Sequence, residues 1–414
     1  MRKQILLFLL VFTGGIAAAQ NKQEIKEMFW GKDDPYKKAM TVPDKWKNES
    51  AVVLCKNEIH DFHKFGMNVT YVSAGRKRVK LLDQAAVSEF SEFSFRDRFY
   101  SRRGFSWKQA TNILGIKVVK PDGSEREINI DEEAVTADDK KKIAISNLEV
   151  GDIIDIYYHS TEPFKSALEY GFAPVETTLG DSYPIVDFKL VLRTENDFFV
   201  NFASYNGAPE LKEVSDKGKS KRIYELVAHD IEKDDFPRWF YPLVELPSYK
   251  FQVFFARSGK FEERASAFLP EKESIVKRNV SKDDVMKYYV SKFAPAYSMA
   301  PLKDFLKQNQ FGSRAEKVKA VYYYARHAFY TRYVEAAVTD EAKIINYPYV
   351  LYQDNPIFFR TETDFVNFFM MFLKNEKIDY DIVVATPREN GPIKDLLLEN
   401  NAVVLLRVDT EEPV

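Results

Sequence analysis

Arg360–Val384, RTETDFVNFFMMFLKNEKIDYDIVV, decides how the second half of this chain is read. Phe365, Val366, Phe368, Phe369, Met370, Met371, Phe372 and Leu373 place apolar side chains on nearly every face of a helix. A helix that is hydrophobic all round is buried. Its polar start, Thr361-Glu362-Thr363-Asp364, lies where free N–H groups and the positive dipole end meet. Enzymes place nucleophiles at such points, and this one offers a glutamate. The structural alternative is a capped first turn, since acidic residues are stabilised there and Glu362 and Asp364, two apart, do not face each other. A short turn and the strand Ile382–Ala385 follow, then a loop at Gly391-Pro392 and a strand Ala402–Val408. Upstream, Ser313-Arg-Ala-Glu316 is a capping box opening a helix with Val318, Val321, Tyr322, Ala325 and Phe329 on one face. Helices followed by strands predict an α+β domain.

The region before it reads as β. Ala51–Phe62 and Met67–Leu82 alternate around Gly66, predicting a hairpin. Ile113–Val119 and Glu127–Ile130 flank Pro121-Asp-Gly123 as a second hairpin. Strands are also expected at Ile153–Ser160, Ile185–Leu192, Phe198–Ser204 and Arg222–His229, with Asn206-Gly207 as a turn. Short strands at regular spacing predict a sandwich-like domain. Helices are expected at Glu262–Phe268 and Lys282–Phe293, with a further helical piece inside the proline-broken Ala294–Gln310.

Residues 1–19, MRKQILLFLLVFTGGIAAA, have the charged start, short apolar run and small-residue end of a secretory signal peptide. That run is too short to span a bilayer, and no later stretch is long enough. The mature protein is therefore expected in the periplasm or outside the cell. The domain plan is signal peptide 1–19, N-terminal segment 20–49, β-rich domain 50–257, helical connector 258–312 and α+β domain 313–414. A formal net charge of −2 offers no electrostatic footprint for nucleic acid.

Cys55 is the only cysteine and sits in an alternating strand run, so it reads as a buried strand residue and no internal disulfide can form. His60-x-x-His63 is the one metal-like spacing, but on a strand the pair points to opposite faces, so no metal is expected. His159, His229 and His327 read as structural. No phosphate-binding loop, dinucleotide fingerprint or zinc motif occurs, and no cofactor is expected. Phe236-Pro-Arg-Trp-Phe-Tyr-Pro242 centres on Trp239. It reads either as packing at a domain junction or as an aromatic surface for sugars or a partner.

Several stretches carry a family resemblance. KPDGSEREINI (Lys120–Ile130), KKIAISNLEVGDIIDIYYHSTEP (Lys141–Pro163), DSYPIVDFKLVLRTENDF and AEKVKAVYYYARHAFYTRY resemble exported bacterial proteins that join a β-rich domain of unknown function to a transglutaminase-like domain. The resemblance runs from Ser50 to the C-terminus. It implies a papain-like α+β fold for the second part.

The family's catalytic segment reads approximately G-x-C-x-D-x-A-x-L-L-x-x-L-L-x-x-x-G-I. Laid on this sequence, Asp falls on Asp364, the leucine pairs on Phe368-Phe369 and Phe372-Leu373, and Ile on Ile378. The cysteine position falls on Glu362 and the preceding glycine on Arg360. An R-x-x-G-P loop matches Arg388–Pro392, and the histidine position falls on Asn401. The third catalytic residue belongs to a strand that would begin near Val414, so the domain is expected to be cut short there.

The resemblance therefore implies a transglutaminase-like domain without its chemistry: a carboxylate does not replace a thiolate, and asparagine is no general base. The expectation is a non-catalytic exported binding or scaffolding protein taking a peptide, protein or glycan. Arg360, Glu362, Asp364, Asn401 and Trp239 are its candidate binding residues. The alternatives are an amidase, peptidase or other hydrolase using Glu362 and Asp364, and a carbohydrate-binding protein using Trp239.

Overall fold

The computed structural model describes residues 22–65, 68–96, 98–103, 106–137, 140–164, 171–195, 197–216, 220–237, 239–255, 269, 276–291, 293, 299–343, 362–398 and 401–411. The expected signal peptide, the Gly66 turn, the helix expected at Glu262–Phe268 and Arg360 lie outside these residues. The protein is a mixed α/β, multidomain molecule with several sheets, and its contacts form two compact units. The first holds the described residues up to Asn279 together with Arg388–Gly391; the second holds those of Val280–Pro387 and from Pro392 onward.

The first unit is built on strands β1 (Ala51–Phe65), β2 (Asn68–Leu81), β3 (Glu92–Phe95), β4 (Arg98–Arg103), β5 (Ser106–Val119), β6 (Glu125–Glu127), β7 (Val135–Ala137), β8 (Lys140–Ala144) and β9 (Ile153–Phe164). It continues with β10 (Val175–Thr178), β11 (Ile185–Glu195), β12 (Phe198–Tyr205), β13 (Lys212–Glu213), β14 (Lys221–Ile231), β15 (Ser248–Phe255) and β16 (Val276–Lys277). A large sheet runs β13-β14-β11-β1-β2-β9-β5-β4, with β6 also on β5; a smaller one runs β10-β15-β12-β16; β3, β8 and β7 form a third.

The expected first hairpin is present, with Ala51 opposite Leu81 and Phe65 opposite Asn68. The second joins β5 to β6, with Lys117 opposite Glu127. The expected Asn206-Gly207 turn has positive φ at both residues, +54° and +83°, and the Ala208 N–H closes it onto the Tyr205 carbonyl at 3.1 Å. The β1–β11 ladder is parallel, against the otherwise antiparallel large sheet.

Alternation builds the sandwich core. Phe62, Phe188, Leu190 and Leu192 from the large sheet meet Phe198, Val200, Phe202, Tyr249, Phe251 and Val253 from the smaller one. Every residue of β15, SYKFQVFF, is buried. Its long polar side chains find partners: Lys250 pairs with Glu176 at 3.2 Å, and the Gln252 amide donates to the Phe172 carbonyl at 2.9 Å, while Gln252 Oε1 has no hydrogen-bond partner among the described residues.

The other face of the large sheet is closed by the N-terminal segment. Helix α1 (residues 22–30) buries Ile25 and Phe29, and Phe29 stacks on Tyr157 with ring centres 5.1 Å apart. Beneath it lies a buried ionic network. Arg76 donates to Asp155 through Nε (2.9 Å) and Nη2 (2.8 Å), to Asp34 through Nη1 (2.6 Å) and Nη2 (2.8 Å), and to the Phe29 carbonyl (2.7 Å). Arg78 Nη1 reaches Asp155 at 2.7 Å and its Nε the Ala39 carbonyl at 3.0 Å. Burial alone would raise the Asp155 carboxyl, but the two guanidinium groups hold it below the usual carboxylate range.

The second unit contains helices α2 (Lys282–Ser291), α3 (Ala300–Gln308), α4 (Arg314–Glu341) and α5 (Glu362–Asn375), and strands β17 (Tyr380–Ala385) and β18 (Val403–Val408). The cap of α4 forms as expected: Ser313 Oγ accepts from the Glu316 N–H at 3.1 Å, while Glu316 accepts from the Gly312 N–H at 2.6 Å. Val318, Val321 and Ala325 of α4 pack with Phe368, Phe369, Phe372 and Leu373 of α5, closed by Ile378 and Val408. β17 and β18 pair antiparallel, Tyr380 opposite Val408. Among the described residues, no helix is long and apolar enough to cross a membrane.

Candidate functional site

Helix α5 begins at Glu362, and the buried phenylalanine stripe fixes its rotation against α4. Glu362 therefore stands at the N-terminal end of a buried helix, although its side chain, like Arg360, lies outside the described residues. Asp364 is half-buried in the first turn and is engaged by other groups. Asn367, one turn further, was not singled out in the sequence. It is buried, and its Oδ1 has no hydrogen-bond partner among the described residues. Its spacing from Thr363 and Asp364 puts all three on one side of the helix.

The far end of α5 fixes the register of the frame. The chain leaves the helix through a left-handed residue, Lys377, with φ +56°. The Ile378 N–H then closes onto the Leu373 carbonyl at 2.9 Å, and the Glu376 N–H onto the Phe372 carbonyl at 3.0 Å. A helix stop of this kind favours glycine. Lys377 occupies the position where the G-I of the resembling segment has its glycine.

The other expected residue, Asn401, is buried just before β18. Its N–H donates to the Leu398 carbonyl at 3.1 Å, after the buried run Leu396-Leu397-Leu398, and it has further partners. Gly391 of the intervening loop has φ +86°, a conformation that suits glycine. The second unit thus places Glu362 at the start of its central helix and Asn401 at the entry to its second strand.

Of the remaining candidates, all but His327 belong to the first unit. Cys55 is fully buried on β1, where burial pushes its thiol up to about 12. His60 faces the sandwich core. Its Nδ1 lies 2.8 Å from the Tyr71 hydroxyl, and its Nε2 has no partner among the described residues. Burial lowers its pKa to about 4. His63 instead bonds Asp61 at 2.9 Å. The two rings diverge as strand alternation requires, and among the described residues no cluster could hold a metal. His229 is exposed and bonded to Asp187 at 2.6 Å, and His327 is exposed on α4. Trp239 is 82% exposed, flanked by partly exposed Phe236 and Tyr241, with Phe236 stacked on Phe240 at 5.5 Å.

No family model and no curated protein matches the chain. Its fold is similar to a crystal structure described as a "putative protease" from Parabacteroides distasonis, with a TM-score of 0.50 and 14% identity. The match covers 87% of this chain and 65% of that one, so the chain spans less than two thirds of that protein's length. At that identity the likeness speaks to the fold alone.

Proposed function

We propose that this is an exported binding or scaffolding protein whose second unit is a transglutaminase-like domain without the acyl-transfer residues. The observation that carries the reading is the chain path around α5. A buried helix starts at the nucleophile position and leaves through left-handed Lys377 at the family's glycine position. An antiparallel hairpin follows, with Asn401 at its second strand. The likeness to a putative protease over most of the chain supports such a frame.

The chemistry argues against acyl transfer. The nucleophile position holds Glu362 and the base position Asn401. The one thiol in the chain, Cys55, is buried in the other unit and held protonated. The signal-peptide pattern supports export, and without the catalytic pair the second unit is read as a module for a peptide, protein or glycan, since function lies in the site and not in the fold.

The test is turnover of amide, ester and glycoside substrates by the purified full chain, beside Glu362→Gln. No turnover by either protein is expected. Hydrolysis by the wild type that disappears in Glu362→Gln would sink the reading in favour of a hydrolase. The exposed Trp239 favours a second reading, glycan binding through that ring. Glycan-array binding unchanged by Trp239→Ala would remove its support.

A further inference from the structure

The large sheet of the first unit has a gap in the pairing of β5. On the side away from β9, β4 pairs with Ser106–Thr111 and β6 with Lys117–Val119. The Ile128 N–H closes the β6 side by donating to the Ile116 carbonyl at 2.9 Å. Between them, Ile113–Gly115 has no ladder partner on that side among the described residues. Backbone groups alternate along a strand. The alternation that aims the Ile116 carbonyl at Ile128 therefore aims the Leu114 N–H and C=O into the gap.

An open strand edge is a template for pairing and is normally blunted. Here it is instead the wall of a cleft of about 790 Å3. The cleft runs between two apolar layers. On one side lie Ile113 and Tyr157, beneath α1, and the Tyr157 ring lies so close over Gly115 that a β-carbon there would sit 2.3 Å from it. On the other side lie Phe95, Leu114 and Ile130, which pack against the sandwich core. The rim carries Lys22, Lys26 and Lys141 against Glu127 and Asp131, an excess of one positive charge. Lys22 pairs with Asp131 at 2.9 Å, Lys26 pairs with Glu127, and Lys141 lies 3.9 Å from Asp131.

We propose that this cleft is a strand-addition site for an extended segment of a partner polypeptide. The segment pairs its main chain with Leu114, turns alternate apolar side chains toward the Tyr157 and Phe95 walls, and sets an acidic residue at the lysine rim. Main-chain pairing supplies affinity in this mode and the alternate pockets supply selectivity. The site lies in the first unit and does not rest on the reading of the second.

The test selects binders from a displayed library of random short peptides on the full mature chain. The selected peptides are then synthesised with and without N-methylation at alternate residues. We expect peptides alternating apolar residues with at least one carboxylate. They should slow amide exchange across residues 112–116, and N-methylation in one register should weaken them at least tenfold. Leu114→Pro, which removes only an outward N–H from the backbone and leaves the β9 ladder, should abolish binding. Selection without binders, or binders indifferent to N-methylation in both registers, would overturn the proposal even if Leu114→Pro fails to fold. Concentration-dependent protection of the same amides without peptide would assign the edge to a second copy of this chain, and would overturn it as well.

Discussion

The outer face of the large sheet and the core around α5 are buried by opposite means. Over the sheet, Arg76 and Arg78 are buried with Asp34 and Asp155 under a charged N-terminal segment. Around α5, the contacts are aromatic and aliphatic, from Phe368, Phe369, Phe372 and Leu373. The first arrangement depends on every partner being present, because one buried charge without its mate is heavily penalised. The second tolerates no voids but has no single indispensable polar atom. The contrast also divides what patterning can reveal. An apolar helix announces its burial in sequence, and a neutral cluster of four charges does not.

Arg76→Met should have the largest effect. It leaves Asp34 and Asp155 buried with only Arg78, and should destabilise the first unit by about 3–5 kcal/mol. Amide exchange should speed up first in residues 22–46 and β2. Equal protection across those amides in mutant and wild type would show that the network does not hold the segment. Phe368→Ala is the counterpart in the second unit. The ring is fully buried, and its loss should cost about 3–4 kcal/mol, read as a lowered urea midpoint with the m-value unchanged. A smaller loss from Phe368→Ala than from Arg76→Met would confirm that the ionic face is the more brittle. The reverse order would break the comparison.

Acid should separate the two units further. His60 lies between Tyr71 and Phe251, with Glu58 as its charged neighbour, and burial lowers its pKa from 6.5 to about 4. The unfolded chain then binds more protons than the folded one between those values. The neutral ring therefore contributes stability above pH 6.5 that is lost as pH falls toward 4, by about 3 kcal/mol. The depressed Asp155 adds a loss in the same direction at lower pH. Urea titrations at pH 7, 5 and 4 should show this slope in the wild type and a flatter one in His60→Phe. An identical slope in both proteins would remove His60 from the account.

Much of the fold was legible because periodicity and turn chemistry agree with it. The β1–β2 hairpin, the Pro121-Asp-Gly123 turn and the capped helix α4 all follow from local pattern. β15 is not among the strands expected from the sequence, because Lys250 and Gln252 break its apolar run; both are nonetheless buried, Lys250 against a carboxylate and the Gln252 amide against a carbonyl. The segment 22–46 read as a charged lead-in for the same reason: Asp34 finds its partner on β2, a tertiary fact that no local window contains. In the candidate site, Glu362 stands out as the polar start of an apolar helix, whereas its place as the cysteine position and the choice of Asn401 rest on family resemblance alone. Asn367 left no signal, since a polar residue one turn into a helix is ordinary until its burial is known.

The smallest predicted effect tests the site's register. Lys377 stops α5 in the left-handed region, at φ +56°. A residue with a β-carbon is strained there by about 1–2 kcal/mol. Glycine relieves that strain but adds about 0.5–1 kcal/mol of unfolded-state freedom. Lys377→Gly should therefore stabilise the second unit by roughly 0.5–1 kcal/mol, the opposite of what glycine does inside a helix. Lys374→Gly, three residues earlier and still helical, is the control and should destabilise by about 1 kcal/mol. Thermal melts of the two variants decide the matter. If Lys377→Gly melts below the wild type, the helix stop is not where the resemblance puts it, and the assignment of Glu362 to the nucleophile position falls with it.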